Sequence, residues 1–160
     1  MIDKMATTAI YYKTLTDKLE KEIEIAKEAR KKGFDPSLHP EINITKDLAA
    51  RVEALMGIKG VGARIRELER NGYSREEIAL KIGYDFVENK FGRYKKVEVI
   101  ENAVRTAVAI LTEGVVAAPL DGISRIAVGK NDDASEYIKI FYSGPIRSAG
   151  GTAQALSVLA

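Results

Sequence analysis

Apolar residues recur at steps of three and four from Thr8 to Leu111, and beyond Leu111 that period is lost. A 3.6-residue apolar period belongs to helices that bury one stripe. β-Branched runs set between glycines belong to strands. Charge density changes at nearly the same place: residues 1–100 hold 20 Lys/Arg and 17 Asp/Glu, whereas residues 101–160 hold five and six. The pattern predicts an α+β fold in which a helix-rich N-terminal part packs against a small antiparallel sheet, and a glycine-rich loop leads into a C-terminal helix. Residues 1–95 read as a helical region, with a long first helix at 8–32, a linker at 33–45 and short helices within 46–90. Residues 96–160 read as a further helix, a β-hairpin and the start of another domain, truncated at residue 160.

Tyr12, Leu15, Leu19, Ile23 and Ala26 form the stripe of the first helix, with Asp17/Lys21, Lys18/Glu22 and Glu28/Lys32 as pairs four apart and Gly33 as its stop. A second helix is expected over Lys46 to Met56 with Thr45 as its cap, and a third over Val61 to Arg70, ended by Asn71-Gly72. Ser74 to Glu77 spells a capping box that starts a fourth helix running to about Lys90. Val97, Ile100, Val104, Ala107, Val108 and Leu111 mark the fifth. Val115 to Ala118 reads as a short strand, and Ile123 to Gly129 with Glu136 to Tyr142 as a hairpin with a polar tip. Thr152 is expected to cap a last helix over 153–160. Its Ala155, Leu156, Val158 and Leu159 have no polar closing turn, so the chain reads as the N-terminal fragment of a longer protein.

Several functional classes are excluded early. The 160 residues contain no cysteine, which removes disulfides, thiolate metal sites and a cysteine nucleophile. His39 is the only histidine, set between Leu38 and Pro40, so a His-rich metal site or a Ser-His-Asp triad has no material. Net charge is +2, with 46% hydrophobic and 30% charged residues, and no apolar run is long enough for a membrane span. The start lacks the layout of a signal peptide, so a cytoplasmic location is expected.

Two segments carry candidate chemistry. Ser143 to Ala155 sets Arg147, Ser148, Gly150, Gly151 and Thr152 between a strand and a helix start. Glycines admit close backbone approach, first-turn amides point outward, and an arginine fork fits phosphate, so these five residues are candidate phosphate or DNA-backbone contacts. A tight strand-to-helix connection would use the same glycines for geometry alone. The second segment, Ile58 to Ile65, has a Gly60-Val61-Gly62 turn like that of a helix-hairpin-helix, followed by Arg64. Arg66 stands where that motif usually has a small residue, and an ordinary helix connection reads the same way. Arg93-Tyr94-Lys95-Lys96 is the densest basic cluster, so Gly60, Gly62, Arg64, Arg93, Lys95 and Lys96 are the secondary DNA-contact candidates. Asp132-Asp133 suit a hairpin tip and lack a third carboxylate, so no metal ligand and no catalytic residue is assigned. Seven tyrosines lie mostly beside Lys or Arg, a pattern that stacks on bases or simply packs with the hydroxyl kept wet.

The Gly144-Pro145-Ile146-Arg147-Ser148-Ala149-Gly150-Gly151-Thr152-Ala153-Gln154-Ala155-Leu156 string, with Ala103 to Gly114, Asp35-Pro36-Ser37-Leu38 and Ala50 to Leu55, resembles the N-terminal region of the large subunit of archaeal family D DNA polymerase. That resemblance implies a heterodimeric replicative polymerase whose large subunit extends the primer and whose small subunit carries a 3′-to-5′ exonuclease. Its polymerase aspartates lie in a motif of the Asn-Ala-Asp-Phe-Asp-Gly-Asp type, which no stretch here matches. The resemblance therefore implies a non-catalytic, architectural segment with no cofactor of its own, Mg2+ serving the whole enzyme. It implies DNA, the small exonuclease subunit and downstream catalytic domains of the same chain as partners; the apolar last helix adds self-association of the fragment as an expectation. The alternatives are a free-standing nucleic-acid-binding domain using the Gly60–Gly62 turn, and a small phosphate-ligand enzyme built on the Gly150-Gly151 loop.

Overall fold

The computed structural model describes residues 4–34, 45–112, 120–144 and 151–159. Contacts divide the chain into two units, Met1–Ile44 and Thr45–Ala160. The first unit carries helix α1 (Lys4–Lys31), which begins four residues before the expected Thr8. It stops where Gly33 predicts: the Gly33 amide donates to the Arg30 carbonyl at 2.9 Å and the Phe34 amide to the Ala29 carbonyl at 3.0 Å. Those bonds satisfy last-turn carbonyls, and Arg30 and Lys31 complement the negative end of the dipole. Glu24–Lys27 and Glu28–Lys31 pair at 2.6 Å, so Glu28 takes Lys31 rather than the expected Lys32. Tyr12, Leu15 and Leu19 of the stripe are exposed.

The second unit runs α2 (Leu48–Met56), α3 (Val61–Arg70), α4 (Arg75–Val87), α5 (Lys96–Leu111), β1 (Ile123–Lys130), β2 (Glu136–Tyr142) and α6 (Gly151–Leu159). Helix α2 starts later than expected because Asp47, not Thr45, is its cap: the Asp47 carboxylate accepts the Ala50 N–H at 2.7 Å. The Ser74 capping box forms as the sequence predicts, with Ser74 Oγ accepting the Glu77 N–H at 3.2 Å and Glu77 accepting the Ser74 N–H at 2.8 Å. Helix α4 ends at Val87, short of Lys90, and Asn89 takes a φ of 60° just beyond it.

Two apolar cores meet on α5. The first gathers Val52, Val61, Ile65, Leu68, Ile82 and Phe86 from α2, α3 and α4 with Ala107, Ala109 and Ile110 of α5. The second joins Val104 and Val108 of α5 to Ile123 and Ile126 of β1, with Ile140 and Tyr142 of β2 packed alongside. Ala103 to Leu111 contains only one charged residue, Arg105, so the helix can be buried on both faces. Arg105 is used locally: it pairs with Glu101 at 2.7 Å and donates to the Leu120 carbonyl at 2.6 Å, tying the segment before β1 to α5. The composition shift at residue 100 therefore falls inside α5, and the expected region boundary at 95/96 lies between α4 and α5, which share the first core.

The sheet is the antiparallel hairpin β1-β2. Ile123 faces Tyr142 and Arg125 faces Phe141, so Ser124 is the extra residue of a bulge, its Oγ donating to the Phe141 carbonyl at 3.0 Å. That bulge lets Ile123 and Ile126 both point into the second core, where each is buried. The tip closes with the Asn131 amide on the Ser135 carbonyl at 2.9 Å. Asp133 accepts from both the amide and the hydroxyl of Ser135, as the polar-tip expectation requires. The strand expected over 115–118 lies outside the described residues.

Candidate functional site

The α2–α3 turn is built by two glycines with different duties. Gly60 has a φ of +93°, a left-handed conformation that only glycine adopts without strain. Gly62 is a close approach: a Cβ there would sit 2.9 Å from the Ala49 carbonyl oxygen and 2.9 Å from Glu53 Oε2. Its N–H donates to Glu53 Oε2 at 2.7 Å, so the amide a helix-hairpin-helix would offer a phosphate is held by a carboxylate of the same chain. The turn lies beside Phe91, two residues before the basic segment: a Cβ at Gly60 would sit 3.9 Å from the Phe91 ring.

The arginines of α3 are likewise engaged. Arg64 Nε meets Asp85 Oδ2 at 2.7 Å and its NH1 meets Glu67 at 2.9 Å. Asp85 is buried on α4 and also accepts from Lys90 Nζ at 2.5 Å, so one carboxylate ties α3 to the end of α4. These hydrogen bonds hold both the Arg64 guanidinium and the Lys90 ammonium above their ordinary pKa. Arg66 makes a two-pronged contact with Asp47, at 2.8 Å and 3.0 Å. That contact, followed by the Ala50 amide, holds the Asp47 carboxyl below the usual carboxylate range. Arg66 thus occupies the small-residue position of the motif by reaching across to the α2 cap.

Of the basic cluster, Lys95 precedes α5 and donates its backbone N–H to Glu98 at 2.9 Å, and Lys96 pairs with Glu136 on the hairpin. Arg93 is exposed. Arg147, Ser148 and Gly150 lie outside the described residues. Gly151 is exposed as the first residue of α6, which places Thr152 inside the first turn rather than at the expected cap before Ala153. Among the described residues no three His, Cys, Asp or Glu side chains converge as a metal cluster would require. Nor is any helix long and apolar enough to cross a membrane.

One groove among the described residues was not anticipated. A groove of about 550 Å³ opens between α4, α5, β2 and α6, lined by Leu80, Tyr84, Val87, Ile100, Ile138, Tyr142 and Val158 among others. Tyr84 is 72% exposed, Val87 62% and Val158 74%, so the lining is apolar and uncovered. Helix α6 is anchored beside it by a polar contact, since the Tyr142 hydroxyl and Ser157 Oγ lie 2.6 Å apart and Ser157 is buried. Val158 and Leu159 face outward, in keeping with the open apolar end expected for this helix. The sequence signal for the groove is the set of apolar residues Leu80, Tyr84 and Val87, which lie off the buried face of α4 formed by Ile78, Ile82 and Phe86.

Comparison with known proteins gives the chain its relatives. The chain is 56% identical over 151 residues to the DNA polymerase II large subunit of Methanoculleus marisnigri, covering 94% of this chain and 12% of that protein. It is 59% identical over 150 residues to the subunit of the same name from Methanococcoides burtonii, covering 93% and 13%. For the one from Archaeoglobus fulgidus the identity is 52% over 149 residues, with 93% and 13% covered. The chain thus spans only 12–13% of the length of these curated relatives. Residues 10–160, which take in both cores, the groove and the glycine-rich loop, match the family described as DNA polymerase II large subunit DP2, N-terminal. The chain belongs to that family.

Proposed function

We propose that the chain is the non-catalytic N-terminal module of the large subunit of an archaeal replicative DNA polymerase of the family D type. In this reading the subunit is heterodimeric with a small 3′-to-5′ exonuclease subunit and works in the cytoplasm with Mg2+ at aspartates elsewhere in the enzyme. The observation that carries the architectural role is the uncovered apolar groove between α4, α5, β2 and α6, in a chain whose relatives are far longer. An open groove with an apolar lining has the chemistry of a docking site for a partner surface. The rest of the large subunit is the proposed cover. Arg147 and the glycine-rich loop are proposed as a DNA-backbone contact, on the chemistry of the sequence.

Two variants of the full-length enzyme test the two parts together. Tyr84→Asp, which puts a charge into the groove, is expected to loosen the N-terminal module and to lower primer extension without changing the salt dependence of DNA binding. Arg147→Ala is expected to leave the module in place and to lower the slope of log K against log[salt] by about one unit. A Tyr84→Asp enzyme with unaltered thermal stability and extension rate would refute the architectural reading, and an unchanged slope for Arg147→Ala would refute the contact.

A further inference from the structure

The face of the hairpin turned away from the second core carries a second, independent pattern. Strand alternation places Arg125, Ala127 and Gly129 of β1 there, opposite Phe141, Lys139 and Tyr137 of β2. Tyr137 is 39% exposed and Phe141 37% exposed. Each ring has a cation over it: the Arg125 guanidinium carbon lies 4.1 Å from the Phe141 centroid, and Lys139 Nζ lies 5.0 Å from the Tyr137 centroid. The strand between them is cleared of bulk. A Cβ at Gly129 would sit 2.6 Å from Cζ of Tyr137, so glycine is what allows that ring to lie flat across β1.

The charges on this face are held differently from four cations of the same unit, and in the manner of Lys81, whose Nζ lies 4.3 Å from the Tyr73 centroid. Arg64, Arg66, Lys90 and Lys96 are each paired with a carboxylate. Arg125 and Lys139 have no carboxylate partner among the described residues, and each lies over a ring. A surface of unpaired cations and exposed rings complements a polyanion that also offers aromatic faces. Single-stranded nucleic acid has that chemistry: phosphates for the cations, and unpaired bases for the rings. A base that slides over Phe141 displaces Arg125 from the ring and frees its guanidinium for the adjoining phosphate. Tyr137 and Phe141 are four residues apart, about 13 Å along the strand, so they take separate bases. Duplex DNA, whose bases are already stacked, has nothing to offer the rings.

We propose that this hairpin face binds single-stranded DNA, with Tyr137 and Phe141 as stacking platforms and Arg125 and Lys139 as phosphate contacts. The proposal goes beyond the function given above and does not rest on Arg147 or on the groove. It is tested on the full-length chain with a single-stranded oligonucleotide carrying 5-iododeoxyuridine, cross-linked by light and mapped by mass spectrometry. Cross-links are expected in the peptide spanning 136–142, at Tyr137 or Phe141. Tyr137→Leu with Phe141→Leu keeps the apolar area and removes the aromatic faces, and is expected to abolish that cross-link and to weaken binding at the site roughly tenfold or more. Tyr137→Phe, which keeps the ring, is expected to retain the cross-link. Arg125→Gln is expected to lower the salt slope by about 0.7. Cross-links confined to other parts of the chain, or an equal loss of duplex and single-strand binding in the double variant, would overturn the proposal.

Discussion

Gly62 shows how much one side chain, or the lack of one, settles here. The Ala49 carbonyl belongs to the backbone of α2 and cannot move aside, so a methyl group 2.9 Å from it must push α2 and α3 apart. The same shift would break the 2.7 Å bond from the Gly62 amide to Glu53. Gly62→Ala is therefore expected to destabilise the second unit by about 1–3 kcal/mol, read as a lowered midpoint of thermal unfolding. An unchanged midpoint would mean that the two helices are not locked at this turn. The glycine pair itself was legible in the sequence, but its use was not. A Gly-Val-Gly turn signals close backbone approach, whereas a carboxylate nine residues upstream lying against its amide depends on the angle between two helices.

Element boundaries repeat that lesson at the next scale. The Ser74 capping box was legible because both of its partners lie within four residues, and the end of α3 was legible from its Asn71-Gly72 stop. The α2 start was not, because Thr45 and Asp47 are both good caps and the choice is made by Arg66, nineteen residues away. This contact makes the α2 cap sensitive to acid. The Asp47 carboxyl is held below its ordinary value, so its contribution is complete above the unfolded-state pKa. It is lost as the pH falls through the depressed folded value. An NMR titration of Asp47 is expected to show a midpoint below that of a free aspartate, rising toward it in Arg66→Gln. A midpoint already at the free value would mean that Arg66 does not hold the cap. Helix α5 was read with one buried stripe and has two, because period analysis finds a stripe only where a polar face contrasts with it.

At the scale of the whole chain, the α+β class and the hairpin followed from the loss of helical period after Leu111. The groove did not, since it is made by parts of α4, α5, β2 and α6 that no local pattern brings together. Much of the leading candidate loop, with Arg147, Ser148 and Gly150, lies outside the described residues, so the surfaces on which proposals rest are the groove and the outward face of the hairpin. The groove is where the account is most exposed to test. Hydrogen exchange compared between this 160-residue chain and the full-length large subunit measures directly whether the rest of the subunit covers it. Amides of α4 and α6 beside the groove are expected to exchange several-fold more slowly in the full-length protein, while those of α3 stay the same. Equal exchange at α4 and α6 in the two proteins would contradict the claim that this module is packed against the remainder of a polymerase subunit.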